Sequence, residues 1–542
     1  MVILLPKDIQ GTLIDEPKLI AEASQLLASG DQRGAHALCL TVLQSNPASA
    51  DAYYLLGMLT ALHGNHTKAL ELFERALAAN PAHAGALANK ARCHVSRFER
   101  VQAVEAAEAA VLLDPKDAHT LDTLGVVFSR SSLHERAVGF YQRAIAADPT
   151  NSNYFFNLGA SLQFTGRMDE ARAAYEKCLE LAPRDTRALG SITQITKQTE
   201  EKNDLARLEA TFMATVSNPD DALRVGHAIA KAHEDMGHPE EALFWLKRVK
   251  KWKWNAVSYS EKIDADLFEV AMKTADMLKD SKGYKDAEPI FIVGMPRTGT
   301  TLVDRILSNH SLVSSAGELA EMSVALKRLS GTPSNMALEV ETMEAASRVD
   351  METLGRTYMD AVRTTLGMTG RFIDKLPMNA LYSAVILAAL PNARVICLRR
   401  HPADTVLSNY RQLFAAQVPY YYYAYDLEAC AKYYVGFDRM IRHFSKTLPA
   451  DRFREVHYED IVADIEGQTR SLLDFCGLEF EPACVAFHEN RSPVATASSA
   501  QVREPLYTRS MGRWKRYEAG LGPALDVLEA AGCIDASERG PK

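Results

Sequence analysis

The chain has 542 residues, too many for one ordinary domain, so two or more folding units are expected. Hydrophobic residues make up 47% and charged residues 24%, which excludes a disordered or fibrous chain. The formal net charge is −8 with no basic half or tail, so a polyanion-binding module is excluded and no nucleic-acid partner is expected.

The chain opens with MVILLPKDIQGTLIDE, a short apolar stub followed by charges. No run approaches the roughly 18 uncharged apolar residues of a membrane helix, so a cytoplasmic protein without an integral membrane segment is expected. Eight cysteines are scattered, with no Cys-x-x-Cys pair and no Cys/His set at zinc-ligand spacing. They read as isolated buried thiols in a reducing compartment, and no metal site is expected.

The first predicted architecture is a repeat. Pro47, Pro81, Pro115, Pro149 and Pro183 are each 34 residues apart, and Ala35, Ala69, Ala103, Ala137 and Ala171 keep the same step. Gly57, Gly125 and Gly159 fall in phase, with Ala91 in the second unit. Phe73, Tyr141 and Tyr175 share one aromatic position, filled elsewhere by Cys39 and Ala107. Small residues let the two helices of a hairpin approach, the aromatic fills the gap beside them, and each proline stops the second helix. The period and pattern resemble the tetratricopeptide repeat (TPR), an all-α solenoid in which stacking buries each hairpin's apolar stripe.

Residues 223–248 read as one more degenerate helical pair that caps the stack. The expected solenoid therefore spans residues 18–250, followed by a helical connection and linker over 251–287, Lys/Asp-rich from Met277 to Glu288. Such an array offers a concave surface to a protein or peptide. The competing reading is a scaffold that joins two copies into a homodimer or shields the second half.

From residue 288 to 542 the pattern becomes that of an α/β domain with a parallel sheet. Ile290 to Val293 is a short buried-strand run, followed by Gly294-Met-Pro-Arg-Thr-Gly299-Thr300-Thr301 and the helical LVDRILSNH. Strand, glycine-bounded loop and helix form a P-loop-like phosphate cradle, where backbone amides and the helix dipole meet an anion. Thr300 stands where nucleoside-triphosphate loops carry lysine, and the cation sits inside the loop as Arg297. A donor with one bridging phosphate and a transferable anionic group suits that loop better than a triphosphate.

Arg371-Phe-Ile-Asp-Lys375-Leu-Pro377 reads as strand then turn, leaving Lys375 at a strand end. The apolar strand Arg394–Leu398 runs into Arg399-Arg400-His401-Pro402 and a helix carrying Ser408. Arginine there can grip a phosphate with two parallel hydrogen bonds while serine supplies another donor.

The loop PRTGTT, the later LRRHPADTVLS and the segment SSAQVREPLYTRSMGRWKRYE resemble the sulfotransferase superfamily over roughly residues 288–518. Within it the chain is most similar to bacterial sulfotransferases with N-terminal TPRs and, more distantly, to tyrosylprotein sulfotransferases. The resemblance implies 3′-phosphoadenosine 5′-phosphosulfate (PAPS) as co-substrate, with no metal. It implies that Arg297, Thr298, Gly299, Thr300 and Thr301 hold the 5′-phosphosulfate and that Arg400 and Ser408 hold the 3′-phosphate. Tyr458, Ser498 or Ser499, Arg513 and Trp514 match further donor contacts. Position 513 is arginine where tyrosylprotein relatives have lysine.

Glu318, in SSAGELAEM, matches the family's catalytic glutamate and would act as base, with its pKa tuned by neighbours such as Arg297. Arg297 and Lys375 would stabilise charge on the sulfuryl and bridging oxygens. The bland reading of Glu318 is a first-turn residue of the helix that follows, and Glu321, one turn later, is its rival as base.

The implied reaction moves a sulfuryl group from PAPS to a hydroxyl; fusion to a peptide-binding solenoid points to a protein or peptide hydroxyl, such as tyrosine, presented by the repeats, with carbohydrate and lipid-linked acceptors left open. The run from Val418 to Tyr425 reads equally as an aromatic acceptor mouth or as ordinary packing. A P-loop nucleotide kinase or NTPase is the alternative enzyme. Thr300 and the lack of an apolar strand ending in an isolated metal-binding aspartate argue against it. A non-catalytic TPR interaction scaffold is the alternative outside enzymes.

Overall fold

The structure, a computed structural model, describes residues 15–540 except 98, 286–287, 334–335, 337, 369, 417 and 490–509. The chain divides into two compact units, Met1–Leu181 and Ala182–Lys542.

The first unit is a run of helical hairpins. They pair α1 (Glu16–Ser29) with α2 (Gln32–Ser45), α3 (Ala50–Leu62) with α4 (His66–Ala79), α5 (Ala84–Ser96) with α6 (Arg100–Leu112), α7 (Ala118–Arg130) with α8 (His134–Ala147), and α9 (Ser152–Thr165) with α10 (Met168–Leu181). Side chains of Asp31, Ser49, Asn65, Asp117 and Asn151 cap helix starts by accepting first-turn amide hydrogens. The in-phase glycines meet the in-phase aromatics, as the spacing predicts. A Cβ on Gly57 would stand 2.5 Å from the Phe73 ring, on Gly125 2.5 Å from Tyr141, and on Gly159 2.7 Å from Tyr175.

The second unit begins with α11 (Thr186–Ile195), α12 (Leu205–Thr215), α13 (Pro219–Met236), α14 (Pro239–Ala256) and α15 (Glu261–Leu278). The hairpin α13–α14 is the degenerate pair read from the repeat pattern, but Ala230, Ala242, Leu243 and Leu246 share the core of the α/β domain. Hence the compact units part at Leu181/Ala182, not after residue 250. The stretch read as a linker is likewise laid against the domain: Tyr284 N donates to Ala389 O at 2.8 Å and Asn392 Nδ2 to Lys285 O at 2.7 Å.

Five parallel strands follow: β1 (Ile290–Gly294), β2 (Val313–Ser315), β3 (Arg371–Asp374), β4 (Arg394–Arg399) and β5 (Phe453–His457), in the order β2-β3-β1-β4-β5. Their connections are α16 (Thr300–Ser308), α17 (Glu321–Ser330), α18 (Val340–Ala345), α19 (Met351–Leu366), α20 (Ser383–Ala389), α21 (Pro402–Arg411) and α22 (Leu427–Thr447). After β5 come α23 (Tyr458–Ala463), α24 (Ile465–Phe475) and α25 (Gly522–Ala530).

Alternation along β1 divides the core: Ile290 and Ile292 face α16 and α24, whereas Phe291 and Val293 face α15, α19, α20 and α22. The connection after β1 runs to β2 and the one after β4 runs to β5, so the chain diverges between two neighbouring strands. Ligands of open parallel sheets sit at the carboxyl ends beside such a divergence.

Candidate active site

Each of the five strands delivers an expected site residue at its carboxyl end. β1 leads into the loop bearing Arg297, β2 into Glu318, β3 into Lys375, β4 into Arg400 and β5 into Tyr458.

The loop after β1 is held in an unusual conformation from several sides. Gly294 has φ 147° and Gly299 φ 108°, and Arg297, with a side chain, has φ 68°. A Cβ on Gly294 would stand 2.6 Å from Leu398 O, and one on Gly299 2.7 Å from the Tyr458 ring. Thr298 Oγ1 donates to Met295 O at 2.8 Å, Asn409 Nδ2 to Pro296 O at 2.8 Å, and Arg400 Nη1 to Arg297 O at 3.3 Å. Gly299 caps α16 without a side-chain hydrogen bond, and the positive end of the helix dipole, which favours an anion, lies at this loop.

Arg400 is 8% exposed and converges on the same place. Its guanidinium reaches Ser408 Oγ at 3.5 Å, bonds the carbonyl of Ser510 and stacks over Tyr458 at 5.1 Å. Its Nε is buried without a hydrogen-bond partner among the described residues. Tyr458 Oη and Ser510 Oγ are 2.8 Å apart, and Asp404 accepts from Gly512 N at 2.7 Å and Trp514 N at 2.9 Å. Trp514 is buried and stacks on His401 with ring centroids 5.7 Å apart. Arg513 pairs with Glu234 of α13 at 3.3 Å. Ser498 and Ser499 lie outside the described residues.

At the other end of the sheet Glu318 forms an ion pair with Lys375. Lys375 N donates to Gly317 O at 2.8 Å, and burial pushes the carboxyl of Asp304 on α16 up, with the nearby Lys375 charge working against that rise. Helix α17 starts at Glu321, so Glu321 and not Glu318 takes the first-turn place. Glu318 sits in the preceding loop, and the bland reading offered for it does not describe it.

Strand β3 does end in an aspartate, which the sequence reading passed over. Asp374 is fully buried, and burial pushes its carboxyl well above the usual range. Its oxygens engage Tyr358 Oη at 3.0 Å, Asn379 Nδ2 at 3.4 Å and Leu319 N at 3.4 Å, so it anchors the chain beside Glu318. Among the described residues no cluster of three or more His, Cys, Asp or Glu could hold a metal ion.

The tyrosine run divides. Tyr423 and Tyr425 are buried, and Tyr423 stacks on Tyr433 at 3.8 Å and donates to Asn409 Oδ1 at 3.0 Å. Through Asn409, which bonds Pro296 O, it supports the loop after β1. Tyr421 is half-buried, stacked on Phe414 at 4.4 Å, and is pushed up to about 12 by burial and the Glu318 charge.

Residues 289–482 match the sulfotransferase family. The second unit carries a sulfotransferase-family domain. Residues 20–84, 61–122 and 152–185 match TPR families, so a TPR array precedes that domain. An uncharacterized protein of Aquifex aeolicus is 34% identical over 252 residues, 46% of this chain and 33% of that protein. The protein-tyrosine sulfotransferase of Drosophila melanogaster is 23% identical over 259 residues, 44% of this chain and 51% of that one. The chain thus spans at most about half the length of these curated relatives. The solved sulfotransferase domain of the Synechococcus PCC 7002 olefin synthase is 20% identical, with TM-score 0.34, over 48% of this chain and 98% of that one.

The sulfotransferase family implies PAPS as co-substrate, and the cradle suits such a donor. It combines a lysine-free loop strapped at both glycines, the dipole end of α16 and a buried guanidinium whose Nε has no hydrogen-bond partner among the described residues. Sequence reasoning missed Ser510, Asp404 and Asn409. The latter two share α21 with Ser408, and their nearness to Arg400 in sequence was the available signal.

Proposed function

We propose that the second unit transfers the sulfuryl group of PAPS to an acceptor hydroxyl, leaving adenosine 3′,5′-bisphosphate. The observation that carries this reading is the convergence of Arg297, Glu318, Lys375, Arg400 and Tyr458 at the five strand ends. PAPS supplies the transferable sulfuryl group. Arg297, Thr298, Gly299, Thr300 and Thr301 hold its 5′ end, Arg400 and Ser408 hold its 3′-phosphate, and Tyr458 packs beside Gly299. Glu318 takes the acceptor proton, and Lys375 stabilises the charge that develops on the transferring group, an effect often worth about 3 kcal/mol per donor.

The acceptor in this reading is a protein or peptide hydroxyl, tyrosine above all, captured by the array. The family relation to a protein-tyrosine sulfotransferase and the Phe414–Tyr421 pair within electrostatic reach of Glu318 support it. A cytoplasmic setting belongs to the same reading and is supported by eight free cysteines. Incubating the protein with labelled PAPS and a lysate, then identifying sulfated species by mass spectrometry, tests it. Sulfated tyrosyl peptides are expected. Donor consumption with only carbohydrate products would overturn the acceptor, and tighter binding of ATP–magnesium than of adenosine 3′,5′-bisphosphate would overturn the reaction.

A further inference from the structure

We propose that Glu234, in the helical hairpin α13–α14, is a positioning residue for the donor, acting through Arg513 on the segment that closes over Arg400. The proposal rests on the donor reading above and assigns a catalytic-domain duty to a hairpin that the repeat pattern places in the array.

Glu234 has only 12% of its side chain exposed and three partners. It forms an ion pair with Arg411, lies 3.3 Å from Arg513 Nη2, and accepts a hydrogen bond from Tyr517 Oη at 2.8 Å. Burial pushes its carboxyl up, but Arg411 and Arg513 outweigh burial and hold it below the ordinary value, so Glu234 stays ionised. One carboxylate thus faces two guanidiniums at the edge of the donor cradle. Arg513 Nε is buried without a hydrogen-bond partner among the described residues.

Both arginines belong to elements that build the cradle. Arg411 ends α21, the helix that also carries Asp404, Ser408 and Asn409. Arg513 sits between Gly512 and Trp514, whose amides are bound by Asp404, and Ser510 just upstream accepts from Arg400. The two carboxylates, Asp404 and Glu234, therefore grip one short segment through its backbone and its side chains. Helix α14 adds a third hold, since Lys247 Nζ donates to Gly520 O at 2.6 Å and Leu243 fills the space beside the Gly520 backbone. Without Glu234, two partly buried guanidiniums would repel each other and Arg513 would lose its fixed direction.

The test uses the full chain: calorimetric titration with adenosine 3′,5′-bisphosphate for the wild type, Glu234→Gln, Arg513→Gln and the double variant, with steady-state kinetics on PAPS. Glu234→Gln is expected to weaken nucleotide binding about tenfold and to raise the KM for PAPS more than it lowers kcat. The double variant is expected to bind no more weakly than Arg513→Gln alone, because Glu234 acts through that arginine. Unchanged affinity in Glu234→Gln, or additive losses in the double variant, would overturn the proposal. Should Glu234→Gln not fold, Glu234→Asp keeps the charge on a shorter stem. Intermediate affinity there supports the role, and wild-type affinity removes it. A wild-type chain that binds no bisphosphate removes the donor reading itself, an outcome distinct from the failure of Glu234 alone.

Discussion

Glu318 and Lys375 meet at the ends of adjacent strands, and the pair is lopsided: the Lys375 side chain is 1% exposed and that of Glu318 40%. The ammonium is fixed by its surroundings, whereas the carboxylate is open to solvent on its other side. Glu318→Gln is expected to cut turnover at least about 100-fold while leaving affinity for adenosine 3′,5′-bisphosphate within about threefold. Single-turnover sulfuryl transfer and calorimetry measure the two quantities separately, and normal turnover would remove Glu318 from the role of base.

Arg400 makes its contacts with groups on three separate segments, Arg297, Ser408 and Ser510. Arg400→Ala is expected to weaken bisphosphate binding by about 10- to 100-fold and to narrow the preference over adenosine 5′-phosphate. Competition titrations with the two nucleotides read both effects. An unchanged preference would place the 3′-phosphate elsewhere.

In the array, Gly57 has the Phe73 ring where a methyl group would go. Alanine normally stabilises a helix by about 1 kcal/mol relative to glycine. The clash reverses that sign here, and Gly57→Ala is expected to destabilise the array by about 1–3 kcal/mol. Pairing it with Phe73→Leu should recover part of the loss in urea melts.

Lys250 of α14 is fully buried, donates to Ala424 O at 2.8 Å and Gln412 O at 3.3 Å, and lies 4.9 Å from the Tyr410 ring centre. Burial lowers it from 10.5 to about 7. Because the folded value is the lower one, the unfolded chain binds more protons between about pH 7 and 10.5. The Lys250 contribution to stability is therefore fully present above that window and is lost as pH falls through about 7, at up to about 1.4 kcal/mol per pH unit. Relative to Lys250→Met, the wild type should gain melting temperature from pH 7 to 9. A flat difference would show that Lys250 keeps its proton throughout.

The repeats were legible because each hairpin interface is local: a glycine and an aromatic sixteen positions apart recur with a fixed period and mark one contact. The strands β1 and β4 were legible as apolar runs and β3 as a strand before a turn, and so was the placing of Arg297, Lys375 and Arg400 at their ends. Strand β2, at three residues, carries no such signal, and Glu318 was found by resemblance. Composition misled where packing decides. The Lys/Asp-rich stretch read as a linker is bonded to the domain beside α20, and Asp374 gives no hint in its local sequence that it is buried. Glu234 was invisible for a different reason: Arg411 is 177 positions away and Tyr517 is 283 away, separations that no periodicity spans.

The strand ends are supplied by stretches scattered between Gly294 and Tyr458, and Ser510 to Trp514 complete them. During synthesis the helical hairpins can close one after another from near neighbours, the kind of contact that forms fast. The nucleotide cradle cannot, because its closing segment leaves the ribosome hundreds of residues after the array. On the reading proposed above, a nascent chain would be able to engage a protein partner well before it could sulfate one.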